Sequence, residues 1–180
     1  MWKQNFPFDE KCVCYIRGYY RAFYQGSTDH RGIPSRPGRV VTILPHPEQV
    51  VWGLAFRVPP GKEEEVLELL DVREKGGYDR VELSAFHPVH HHVLLPSVIC
   101  YIANETNEEY LGEATEEHIA MQILSCRGPS GPNREYLFLL AEALRSIGAK
   151  DNHVFEIEGI ARRLIEMRAD TLVPSSSEVS

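Results

Sequence analysis

A chain of 180 residues, 43% apolar and 25% charged, has the composition of an ordinary globular protein, long enough for one sizeable core. Its net charge of −7 speaks against nucleic acid or an anionic membrane surface as partner, and no apolar run reaches bilayer-spanning length. The four cysteines (Cys12, Cys14, Cys100, Cys126) make neither a disulfide framework nor paired C-x-x-C zinc units. With no apolar signal core in the first ten residues, a cytosolic protein with reduced thiols is expected.

Lys11 to Tyr24 is rich in aromatic and β-favouring residues and predicts one long strand, or two bent at Gly18. Cys12 and Cys14, two apart, share a face and read as small core residues. Gln25 to Arg39 is a loop by its Gly, Pro, Ser and Asp content, and it crowds Asp29, His30, Arg31, Arg36 and Arg39 together. These ions either pair locally on a solvated connection or form a cationic wall for a substrate carboxylate, with Arg39 a binding candidate. Arg39 to Leu44 predicts a short strand. Val50 to Val58 predicts a second, with Val50, Trp52, Leu54, Phe56 and Val58 on the buried face.

The next stretch, Gly61 to Tyr78, reads as a helix that starts after Pro59-Pro60-Gly61 and stops at Gly76-Gly77. Glu63, Glu64 and Glu65 suit the first turn, where unpaired N–H groups favour carboxylates. Glu74 falls on the apolar stripe of Val66, Leu67 and Leu70, near the negative end of the dipole. Both placements push a carboxyl pKa upward, which is what general acid–base catalysis at neutral pH needs.

Tyr78 to Phe86 and Val93 to Ala103 predict two strands joined by a polar hairpin loop, His87-Pro-Val-His-His-His92. Three consecutive histidines on regular backbone do not face one point, so no metal site is expected there. Thr115 to Cys126 carries a helical apolar pattern, and Gly128 to Asn133 predicts a tight turn with Asn133 as N-cap. The helix that follows buries Leu137, Leu140, Leu144 and Ile147 and ends at Gly148. Asn152 is expected to cap a last helix through Arg168, with Phe155, Ile160, Leu164 and Ile165 inward. The class is α+β with several antiparallel strands, as a single domain over residues 1–168 and a disordered tail over 169–180.

Four stretches carry a resemblance. They are Gln25-Gly-Ser-Thr-Asp-His-Arg-Gly32, Pro37-Gly-Arg-Val-Val-Thr42, Arg73-Glu-Lys-Gly-Gly-Tyr78 and Gly128-Pro-Ser-Gly-Pro-Asn-Arg-Glu-Tyr-Leu137. In this order and spacing they resemble the ChaC-like gamma-glutamylcyclotransferases of the glutathione-specific branch. The resemblance implies a small mixed or antiparallel β-barrel with flanking helices. It implies glutathione as the small-molecule partner, cleaved to 5-oxoproline and cysteinylglycine without metal or cofactor. The acid–base glutamate of the family falls on Glu74, while Glu65 and Tyr136 look like its substrate-side residues. One departure matters: the family's Phe-Gly-Tyr-Gly-Ser-Leu segment, whose N–H groups cradle the γ-glutamyl part, has no counterpart in these residues. Two expectations therefore stand, an active glutathione-degrading enzyme or an impaired member with a binding or regulatory role.

Overall fold

The computed structural model describes residues 4–73 and 78–172. Two long antiparallel strands, β1 (Glu10–Ser27) and β2 (Gly38–Arg57), pair along nearly their whole length. Their register breaks between Arg17 and Tyr19, where Gly18 takes a φ of +83° that a side chain rarely adopts. That bend divides the molecule. Below it, the start of β1 and the end of β2 meet helix α1 (Glu63–Arg73) and the hairpin of β3 (Tyr78–Phe86) and β4 (Val93–Ala103). Above it, the strands carry three helices: α2 (Glu116–Ser125), α3 (Asn133–Ser146) and α4 (Asn152–Leu172). Between α2 and α3 lies a small hairpin of β5 (Arg127–Gly128) and β6 (Gly131–Pro132).

The four long strands form one antiparallel sheet in the order β2-β1-β3-β4. The α+β class is therefore as read, with the sheet joined at its centre by only two β1–β3 residue pairs, Tyr15 with Phe86 and Ile16 with Ala85. The sheet is packed by two core clusters. Phe23, Ile119, Ile123, Leu137, Leu144, Val154 and Ile157 are fully buried against the helices. A smaller, separate cluster holds Cys14, Ile16, Val51 and Ala85, with Tyr19 and Ile43 beside it.

The hairpin strands and α2 match expectation, with Thr115 as the α2 N-cap accepting from the His118 N–H at 3.3 Å. Gly148 ends α3 with a φ of +71°. Elsewhere the structure corrects the reading. The two strands expected on either side of Pro45-His-Pro47 are one, because β2 is an edge strand where a missing N–H breaks no ladder. Its faces are shared: Val51 is buried on the smaller cluster and Val50 is exposed. Asn133 is not the α3 cap; that position is Pro132, which makes no side-chain cap bond. The last helix is capped by Asp151, whose Oδ1 accepts from the Val154 N–H at 3.1 Å, one residue before the expected Asn152. That helix also runs past Arg168 to Leu172. Glu74, Gly76 and Gly77 lie outside the described residues, as does the tail from Pro174.

Candidate active site

Three of the four motif stretches, far apart in sequence, meet in one knot of backbone. The Ser130 N–H donates to the His30 carbonyl at 2.9 Å, and the Arg31 N–H donates to Ser27 Oγ at 3.0 Å. Glycine is required where the strands touch. A Cβ on Gly128 would stand 2.3 Å from the His30 oxygen, and one on Gly32 would stand 2.0 Å from the Gly38 nitrogen. Arg31 closes the knot by pairing with Glu135 at 2.7 Å and donating to the Pro132 carbonyl at 3.1 Å.

Asn133, fully buried, does the work of a neighbouring strand. Its Oδ1 accepts from the Arg39 N–H at 2.7 Å and its Nδ2 donates to the Arg39 carbonyl at 2.8 Å. The Arg39 side chain turns inward, 5% exposed. Its Nε donates to Gln122 Oε1 at 2.7 Å, and its Nη1 to the carbonyls of Phe23 (2.8 Å) and Gly112 (3.0 Å). All three acceptors are neutral, and burial lowers the guanidinium pKa despite the opposing pull of Tyr24 and Tyr110. Gln122 reaches on to the Pro37 carbonyl at 2.9 Å, so Arg39 and Gln122 together pin the end of the loop.

Tyr136 sits half-buried in the first turn of α3, its ring edge-on to Phe23 at 6.1 Å. Its hydroxyl accepts from the Val41 N–H at 3.4 Å. Val41 is also where the knot meets a cavity of about 940 Å³. The cavity lies between the sheet and α1 and reaches across the bend, from Cys14 and Val51 to Arg21 and Ile43. Val41 and Thr42 of β2, Tyr78 at the start of β3 and Val66, Leu67 and Leu70 of α1 all line it. Val66 is 2% exposed there, and burying such a side chain is worth about 1.5–3 kcal/mol. Thr42, missed as a candidate although it stands inside a motif, donates from Oγ1 to the Ala103 carbonyl at 2.7 Å, and Ala103 pairs with Tyr78. Tyr136, Thr42 and Tyr78 are thus linked at one corner.

Glu65 is elsewhere. It faces solvent at the start of α1 and pairs with Lys62 at 2.6 Å, while Glu63 lines the cavity. Glu74 lies outside the described residues. Cys12, Cys14 and Cys100 also line the cavity, and burial, with Cys12 and Cys100 adding to it, pushes Cys14 up to about 11. At neutral pH it is a thiol and a packing residue rather than a nucleophile.

An α+β fold whose knot of three glycine-bearing turns borders a lined cavity has the make-up of a binding or catalytic domain. A family model described as ChaC-like protein matches residues 1–164. Gamma-glutamylcyclotransferase 2-3 of Arabidopsis thaliana is 43% identical over 171 residues, covering 92% of this chain and 85% of the relative. Glutathione-specific gamma-glutamylcyclotransferase 1 of Rattus norvegicus is 44% identical over 158 residues, covering 86% of this chain and 71% of the relative. The crystal structure of the glutathione-specific yeast cyclotransferase superposes with a TM-score of 0.77 at 26% identity, covering 87% of this chain and 89% of that one. The chain belongs to the ChaC-like family.

Proposed function

We propose that this chain is a glutathione-specific gamma-glutamylcyclotransferase that releases 5-oxoproline and cysteinylglycine. The observation that carries the reading is the family match over residues 1–164, with relatives named glutathione-specific gamma-glutamylcyclotransferase 1 at 42–44% identity. The reaction asks little of a protein. The α-amine of the substrate attacks its own γ-carbonyl, and the five-membered lactam closes because the nucleophile is already tethered. One group must take the amine proton and return it to the leaving cysteinyl nitrogen; Glu74 has that role in this reading. Donors must hold the oxyanion as it forms. Tyr136 serves the substrate side, at the corner where its hydroxyl meets Val41 of the cavity wall. Arg39, with its guanidinium given to three acceptors of the fold, acts by positioning the loop. Glu65, exposed and paired with Lys62, does not line the cavity and takes no substrate-side role in this reading. No metal or cofactor enters the scheme, and the site of action is the cytosol, consistent with four free cysteines and with no helix among the described residues long and apolar enough to cross a membrane.

The decisive experiment is Glu74→Gln with 5-oxoproline measured from glutathione. Gln keeps the shape and cannot carry the proton, so release falls to background while the circular dichroism spectrum is unchanged. Substantial residual turnover would mean that another group is the base.

A further inference from the structure

The hairpin tip between β3 and β4 holds four histidines, and the geometry gives them different duties. His91 takes a φ of +57°, which turns it away from its neighbours. Its Nδ1 lies 3.1 Å from the Tyr15 hydroxyl, and its carbonyl accepts from Arg17 Nη2 at 3.3 Å. With His91 turned, the rings of His87, His90 and His92 come together, their centres 4.6, 5.3 and 6.0 Å apart and their planes within 30° of parallel. Metal ligands point their nitrogens at one centre, whereas these rings lie flat on one another. Among the described residues no three His, Cys, Asp or Glu side chains are gathered to hold an ion.

What the tip does have is a reason to stay neutral. His87 Nδ1 accepts from two backbone N–H groups of the turn, Val89 at 3.1 Å and His90 at 3.2 Å. A proton on that nitrogen would turn an acceptor into a donor facing two donors. It would also add charge beside two stacked imidazoles, with Arg17 cationic 4.1 Å over the neighbouring Phe86 ring. The titratable and charged groups facing the cluster are thus His90, His91 and His92 of the hairpin and Tyr15 and Arg17 of β1. None of them is a carboxylate.

We propose that this tip is a proton-operated latch on Tyr15 of the cavity wall, closed when His87 is neutral and opened when His87 charges. Opening breaks the Val89 and His90 contacts and frees the tip from Tyr15. Tyr15 transmits the change: it lines the cavity, stacks on Phe86 at 5.5 Å and on Trp52 at 5.6 Å, and supplies one of the two β1–β3 pairs. Partial burial first, and then His90, His92 and His91, hold the His87 pKa below its ordinary value. The closed tip is therefore fully stabilised above about pH 6.5 and is released as pH falls through the lower folded value.

The test is a histidine titration of the full chain by NMR over about pH 5–8, spanning the imidazole range. In the wild type, the Val89 and His90 amides and the Tyr15 ring signals should move with a common midpoint below the ordinary histidine value. His87→Asn keeps an acceptor for the two N–H groups but cannot take the proton, and the Val89 and His90 amides and the Tyr15 ring should then lose their common midpoint. The double variant His90→Gln/His92→Gln should move the midpoint upward. Unchanged titration of the Val89 and His90 amides in His87→Asn would overturn the proposal, as would an unmoved midpoint in the double variant. This readout needs no substrate, so it stands apart from the cyclotransferase assay.

Discussion

Replacing Asn133 by Ala tests the backbone knot at its most buried point. The side chain is fully buried and meets both the N–H and the C=O of Arg39, at 2.7 and 2.8 Å. Truncation leaves both groups dry, and each such buried orphan costs about 1–3 kcal/mol. A small void adds a further fraction, so the expected loss is about 3–5 kcal/mol, a large share of the stability of an ordinary domain. Urea unfolding followed by far-UV circular dichroism should show the midpoint falling with an unchanged slope, since the surface exposed on unfolding barely changes. Asn133→Asp separates the two bonds. It keeps the acceptor for the N–H and turns a carboxylate oxygen onto the Arg39 carbonyl, so it should be no milder than Ala. A loss below about 1 kcal/mol in the Ala variant would refute the reasoning, because water or a shifted backbone would have met both groups.

Other outcomes follow from groups buried with a fixed protonation. His153 Nε2 accepts from the Phe23 N–H at 3.1 Å, and burial lowers its pKa although Asp151, Glu116 and Glu156 pull it up and Arg39 adds to the lowering. Its contribution is whole above about pH 6.5 and drains away as pH falls through the lower folded value; unfolding free energies along a pH series should show this, and His153→Gln should flatten it. Glu158, 2% exposed, is held by Arg145 and by Arg162 at 2.7 Å. Burial works to raise its pKa, but the hydrogen bonds from the two arginines prevail and the net shift is downward. Its stability is present above the ordinary carboxyl range and lost as pH falls through the depressed value. Since both arginines are half-exposed, Glu158→Gln should cost only about 1–2 kcal/mol in a urea titration near neutral pH.

Local chemistry made part of this molecule legible. The hairpin strands were readable because two runs rich in β-favouring residues stand on either side of the polar His87–His92 loop. Gly148 was readable because only glycine sits easily at that φ. Continuity of β2 was not, because Pro45 looks like a stop until the strand is known to lie at an edge, where Pro45 faces Tyr19 in the register. Asn133 misled for a related reason. Its amide is equally suited to a helix cap and to a strand edge, and only the fold brings Arg39 within reach. The same holds for the candidate site: Tyr136 could be singled out by its place in a motif, whereas Thr42 gains its place only when β2, Ala103 and Tyr78 meet.

The bend at Gly18 also decides where this protein can loosen without melting. The helical half owns the larger core, with seven large side chains fully sealed, and its amides should exchange with solvent only through global opening. The hairpin side rests on a smaller cluster and is tied across the sheet by two residue pairs. Its hydrogen bonds should exchange by partial opening at a fraction of that cost, with β1 coming apart from β3 first. Motion is thereby concentrated at the β1–β3 seam beside the cavity, while the motif turns stay anchored to the larger core.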